Sequence, residues 1–238
     1  MACAPAATTT TTSIPAPAVQ PAAPRVSPTA VRWARTSAEH RAAFLQTYAL
    51  AARELERLAA GLPAGSWAVI SDADETLIDN STYQRERALL DSGFTAPSWD
   101  AWVRRREAAA LPGAAAFARR VHELGGRLAV VTNRDEAQCE ATRANIASVG
   151  IVADAVLCQP TGAPGDKNPR FAAVEQGTTA AGLPPLRVLM WLGDNIRDFP
   201  ALDQPVREQG DAAFADFGRR FWMLPNPMYG SWERNADR

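Results

Sequence analysis

Histidine and cysteine are scarce in this 238-residue chain, and the scarcity narrows its chemistry at once. His40 and His122 are the only histidines, each inside a helical pattern and far from the acidic motifs, so catalysis built on a histidine base fits poorly. A surface or core position suits both. The three cysteines, Cys3, Cys139 and Cys158, show none of the paired spacing of a structural zinc site. Cys139 and Cys158 could in principle form a disulfide, but two buried free thiols fit at least as well. An excess of charge is missing too: 25 Lys and Arg stand against 26 Asp and Glu, a net charge of -1, which gives no electrostatic case for nucleic acid or an anionic membrane as partner. The strongest basic run, Arg104-Arg105-Arg106, reads as the solvated face of a helix. No apolar stretch is long enough to span a bilayer, and no apolar signal core is present.

What is present is 47% hydrophobic residues, enough for one substantial domain with a real core. Residues 1–30 stand apart. They are built from Ala, Thr, Pro and Ser, with Thr8 to Thr12 a homopolymeric run, and have too little apolar bulk to offset their ordering entropy. They read as a disordered tether ahead of a domain over 31–238. Met-Ala-Cys at the start looks like the stub of a removed signal peptide, so an N-terminal lipid on Cys3 is expected, against the plainer reading of a low-complexity terminus with an incidental cysteine.

The domain is organised around Trp67-Ala68-Val69-Ile70-Ser71-Asp72-Ala73-Asp74-Glu75. A buried strand here runs into stacked carboxylates, which repel one another unless a cation sits among them. Side chains alternate along an extended chain, so Asp72 and Asp74 share one side while Ala73 points away. Alone, the pair fits a hard divalent ion with phosphate and a solvated turn about equally well.

The rest of the chain shifts that balance. Thr36 with Glu39 carries a capping-box signature for a helix ending by Gly61 and Pro63. Residues 79–112 are helical and loop-like, with Trp99 and Trp102, and read as an insertion able to cap a site at the strand end. The two tryptophans serve either as core packing or as a flat stacking surface. Further strands are expected at Leu128–Val131, Ala155–Cys158, Arg187–Leu192 and Phe221–Leu224, alternating with helices over 114–124, 136–148 and 169–176. That alternation predicts an α/β fold, a parallel sheet with helices on both faces. In such sheets ligands bind at the carboxyl ends of the strands, where Thr132-Asn133-Arg134-Asp135 and Gly193-Asp194-Asn195-Ile196-Arg197-Asp198 both fall.

Two acids after the first strand, Thr-Asn after the second, an isolated Lys167 and Gly-Asp-x-x-x-Asp after a later strand resemble the haloacid dehalogenase superfamily of aspartate-nucleophile phosphatases. Within it, the chain is similar to the class C acid phosphatases, a bacterial lipoprotein branch. Lys167-Asn168-Pro169-Arg170-Phe171 and Leu224-Pro225-Asn226-Pro227-Met228-Tyr229-Gly230 carry the likeness on toward Glu233. The resemblance implies a Rossmann-like sheet with a small, mainly helical cap. It implies Asp72 as nucleophile, and Asp74 as the general acid and then base, with activity at mildly acidic pH. One Mg2+ would be held by the Asp72 carboxylate, the Asp74 backbone carbonyl and Asp194, with Asp198 either holding a metal-bound water or orienting Lys167. Thr132, the Asn133 amide and Lys167 would bind phosphoryl oxygens, and Trp99 and Tyr229 would sandwich a nucleobase. The expected substrate is a small phosphomonoester, nucleoside 5'-monophosphates included, and the expected place is the bacterial cell envelope. A homodimer is compatible with the resemblance. Gln84-Arg85-Glu86 departs from the small or aromatic residues expected after Tyr83 and leaves the outer wall of the pocket open.

Overall fold

The apolar run that begins at Trp67 forms strand β1 (Trp67–Ser71), with every residue buried. The computed structural model of the protein describes residues 1–2 and 26–236, so Cys3 and most of the expected tether lie outside the described residues. Two short strands, β2 (Ile78–Asp79) and β3 (Ala109–Ala110), pair antiparallel in a sheet of their own. The remaining strands are β4 (Arg127–Asp135), β5 (Ala155–Gln159), β6 (Arg187–Gly193) and β7 (Phe221–Met223). With β1 they make one sheet in the order β5-β4-β1-β6-β7, parallel at every ladder. β1 lies in the middle, covered on both faces, which is why its sequence is continuously apolar instead of alternating. β4 is longer than its apolar run and carries Thr132, Asn133 and Arg134 within the strand. Its register against β5 breaks between Val131 and Asp135.

Among the described residues, seven α-helices flank the sheets: α1 (Thr29–Thr36), α2 (Ala38–Ala59), α3 (Ser81–Leu89), α4 (Ala96–Arg105), α5 (Ala114–Glu123), α6 (Cys139–Ser148) and α7 (Asn168–Gln176). Alternate residues of β1 serve opposite faces. Trp67 and Val69 join Phe44, Tyr48 and Leu55 of α2, Phe117 and Val121 of α5 and Ile146 of α6 in one core. Ala68 and Ile70 join Phe171 and Val174 of α7, with Trp191, Phe199 and Phe221, in the other. Helices α3 and α4 lie between the strands of the small β2–β3 sheet, beside the carboxyl end of β1.

Two local expectations are corrected. The cap of α2 is Ser37, not Thr36: its side chain accepts from the His40 amide at 3.0 Å, while Thr36 is already the last residue of α1 and donates back to the Arg32 carbonyl at 2.7 Å. Helix α1 also begins at Thr29, inside the span assigned to the tether.

The open question over the cysteines is answered by a Cys139–Cys158 disulfide, with the two Cα atoms 5.8 Å apart. It joins the start of α6 to β5, and closing a loop of this size restricts the unfolded chain by about 3 kcal/mol. Both histidines are structural. His40 packs between Trp33 and Phe44, with ring centroids 5.3 and 4.5 Å away, and His122 bonds Asp154 at 2.8 Å.

Candidate active site

β4, β1 and β6 are neighbours in one parallel sheet, so the residues that follow them converge. Asp72 leaves the end of β1, with its amide still bonded to the Leu192 carbonyl of β6 at 2.9 Å. Gly193 closes β6, and a side chain is excluded there because a Cβ would lie 2.2 Å from the Cβ of Asp198. That room lets the next turn fold Asp198 back, where its Oδ2 accepts from the Asn195 amide at 2.8 Å. The glycine of Gly-Asp-x-x-x-Asp therefore has a packing reason.

Asp72, Asp194 and Asp198 each present a carboxylate oxygen, and the three oxygens lie within 4.8 Å of one another. Lys167, just ahead of α7, reaches between two of them. Its Nζ lies 2.6 Å from Asp198 Oδ1 and also bonds Asp72 Oδ1. All three side chains of this pairing are buried. Burial pushes the Asp72 carboxyl well above the usual carboxylate range; Lys167 opposes that rise, and the charges of Asp198 and Asp74 add to it. Asp194 is raised as well, by burial first and then by Asp198 and Asp72, although it accepts from Asn226 Nδ2 at 2.8 Å. Burial alone would lower Lys167, but Asp198 and Asp72 together hold it firmly charged. Two buried acids and the half-buried Asp194 around one ammonium leave negative charge in excess, and their donors are all oxygen. That set fits a hard divalent cation.

Asp74 is placed differently. Its carboxylate turns toward β4, where Arg134 approaches side-on with Nε at 3.0 Å and Nη2 at 2.7 Å from Oδ1. Asn80 Nδ2 adds a third bond to the same oxygen at 2.8 Å. The loop that sets this direction is pinned by Glu75, which has a left-handed backbone (φ 52°) and whose side chain accepts from the Asn80 amide at 2.8 Å. Burial raises the Glu75 carboxyl far above its ordinary value, and the charges of Asp74 and Asp194 add to the rise. Asp79 accepts from the Ser81 amide at 2.7 Å, a turn-shaping bond.

The phosphate candidates stand beside this cluster. Thr132 is fully buried, its hydroxyl accepting from the Arg134 amide at 3.1 Å and its carbonyl from Arg170. Asn133 faces solvent and donates to the Gly165 carbonyl at 2.9 Å. Of the two expected stacking rings, Trp99 packs edge-on to Tyr83 at 5.1 Å and near Phe94, while Tyr229 sits half-buried in the loop after β7. Trp102 belongs to the core, where its indole donates to Asn80 Oδ1 at 2.8 Å. Arg134, Asn80 and Asn226 were not singled out by sequence reasoning. Arg134 and Asn226 lie inside quoted motifs and Asn80 five residues beyond one, but no spacing rule distinguishes a buried Arg or Asn from a surface one.

A parallel sheet with this acid–lysine cluster at the ends of its central strands defines a phosphomonoesterase of the haloacid dehalogenase type. The chain matches the HAD superfamily, subfamily IIIB (Acid phosphatase), over residues 1–232, and it belongs to that family. It is similar to solved structures of the class C acid phosphatase from Bacillus anthracis. One is 31% identical, with 86% of this chain and 85% of that chain covered at a TM-score of 0.74. Another, described with tungstate bound, is 30% identical, with 87% and 90% covered at a TM-score of 0.76.

Proposed function

We propose that the protein is a Mg2+-dependent acid phosphatase of the bacterial cell envelope, hydrolysing phosphomonoesters, nucleoside 5'-monophosphates among them, through an aspartyl-phosphate on Asp72. The observation that carries this is Lys167 held between Asp72 and Asp198 with Asp194 at hand, a cationic and carboxylate set concentrated at one strand end. Lys167 engages Oδ1 of Asp72, so attack through Oδ2 keeps that contact. As the Asp72–phosphorus bond forms, the ester oxygen leaves with a proton from Asp74. In the second half Asp74 takes a proton from water, the water oxygen attacks phosphorus, and the Asp72 carboxylate is released with inorganic phosphate. Thr132, the Asn133 amide and Lys167 bind the phosphoryl oxygens, and Asp198 keeps the ammonium aimed. When bound by Asp72, Asp194, Asp198 and the Asp74 carbonyl, Mg2+ would supply neutralisation of phosphoryl charge. The tungstate-bound relative supports an oxyanion site, since tungstate is tetrahedral and anionic like phosphate.

In this reading residues 79–112, carrying α3 and α4, form the cap. The Cys139–Cys158 bond suits an oxidising compartment and so an envelope location, with a lipid on Cys3 as the anchor. Hydrolysis of p-nitrophenyl phosphate with and without EDTA tests the core of the proposal. Turnover that EDTA removes and Mg2+ restores is expected, whereas well-folded protein without metal-dependent turnover would reject it. Trp99→Ala and Tyr229→Ala are each expected to raise KM for nucleoside monophosphates about tenfold and for phenyl phosphate about twofold, as loss of a base stack worth about 1–3 kcal/mol predicts. An equal rise for both substrates would count against stacking.

A further inference from the structure

The Asp74 carboxylate is held by more partners than charge balance alone needs. Arg134 meets it with Nε 3.0 Å from Oδ1 and 3.1 Å from Oδ2, and with Nη2 2.7 Å from Oδ1. The guanidinium side chain is 1% exposed, so this contact is sheltered from water and salt. Its other nitrogen, Nη1, reaches Thr142 Oγ1 on α6 at 3.4 Å. A planar fork clamped in this way leaves its partner little freedom of direction.

Asn80 is the second clamp. It is fully buried, and its amide donates to Asp74 Oδ1 at 2.8 Å and to Glu75 Oε2 at 3.2 Å. Its carbonyl accepts from Trp102 Nε1 at 2.8 Å and from Arg134 Nη2 at 3.2 Å. Turning the amide over would aim its oxygen at two carboxylates and its NH2 at two donors, so only one orientation satisfies the network. Trp102 lies on α4 and Arg134 also lies over the ring of Trp99 on α4, 5.2 Å from its centroid. The bonds thus run from one helix beside the site to one carboxylate within it.

We propose that Arg134 and Asn80 are positioning residues for Asp74, fixing the direction in which it passes its proton and tying that direction to the seating of α4 through Trp102 and Trp99. This rests on Asp74 being the acid of the reaction proposed above. Proton transfer demands a defined approach of carboxyl to leaving oxygen, and small misplacements cost far more in rate than in binding.

The test uses leaving groups. p-Nitrophenolate departs readily without a proton, whereas the alkoxide of glycerol phosphate does not, and kcat/KM reports every step up to departure. In Arg134→Lys, kcat/KM should fall about threefold for p-nitrophenyl phosphate and about 100-fold for glycerol phosphate, within the range general acid catalysis contributes. Trp102→Phe keeps an aromatic ring in α4 while removing the Nε1–H donor to Asn80 together with part of the buried indole. It should show the same trend, about threefold steeper for glycerol phosphate than for p-nitrophenyl phosphate, and it decides the matter by itself if Arg134→Lys does not fold. A loss uniform along the series in both variants overturns the proposal. Asp74→Asn, measured alongside, separates the two assignments. A steep dependence there with none in the other variants rejects the positioning role alone, and no dependence in Asp74→Asn rejects Asp74 as the acid.

Discussion

Asp72→Asn is expected to abolish turnover, with kcat lowered by at least about 10^4-fold, the scale on which loss of a covalent nucleophile would be felt. The amide keeps the shape of the carboxylate but offers phosphorus no nucleophilic oxygen. The fold should survive. Burial already works against the Asp72 charge, so removing that charge relieves a cost even as it weakens the contact with Lys167. These terms oppose each other, and the melting temperature should move by only a few degrees. Steady-state hydrolysis and a thermal melt on the same preparation check both halves. Residual activity above about 1% of wild type, with contaminating enzyme excluded, would remove Asp72 as the nucleophile.

Lys167→Met has the second largest effect and strikes stability as well as rate. The variant leaves Asp72 and Asp198 buried with no cation between them, and breaking a buried pair by removing one partner costs about 3–5 kcal/mol. Losing its charge at the phosphoryl oxygens should also lower kcat/KM about 10^3-fold. The destabilisation has a pH signature. The Asp72 carboxyl, already raised by burial, rises further once Lys167 is gone, so the folded state binds more protons than the unfolded one between the ordinary carboxylate pKa and the raised value. Its stability therefore falls as pH increases through that window. Lys167→Met should lose more of its melting temperature, relative to wild type, at pH 8 than at pH 5. A deficit independent of pH would contradict this account.

The sheet was legible from sequence because each strand is a short apolar run bounded by helical periods. Leu128 to Val131 and Arg187 to Leu192 announce buried parallel strands in that way. The acid–lysine cluster was legible for a related reason: acids and a lysine at strand ends are unusual enough to register. Hydrogen-bond partners were not. Whether Thr36 or Ser37 caps α2 depends on where α1 stops, and whether Asp74 faces Arg134 depends on the turn set by Glu75. Such choices are fixed by tertiary packing, and no local pattern records them. The Cys139–Cys158 bond was undecided for the same reason, since a separation of 19 residues permits pairing without requiring it.

The central place of β1 divides the molecule's labour. The acid–lysine cluster gathers at one rim of the sheet, while connections such as Gly125-Gly126 and the turn around Gly150 lie at the opposite rim. The two rims are free to change on separate terms. Loops on the far rim can lengthen, shorten or acquire new surface without disturbing a proton path, whereas a single misplaced side chain on the near rim reaches the reacting atoms. Diversification within this architecture has an open direction, and it points away from Asp72.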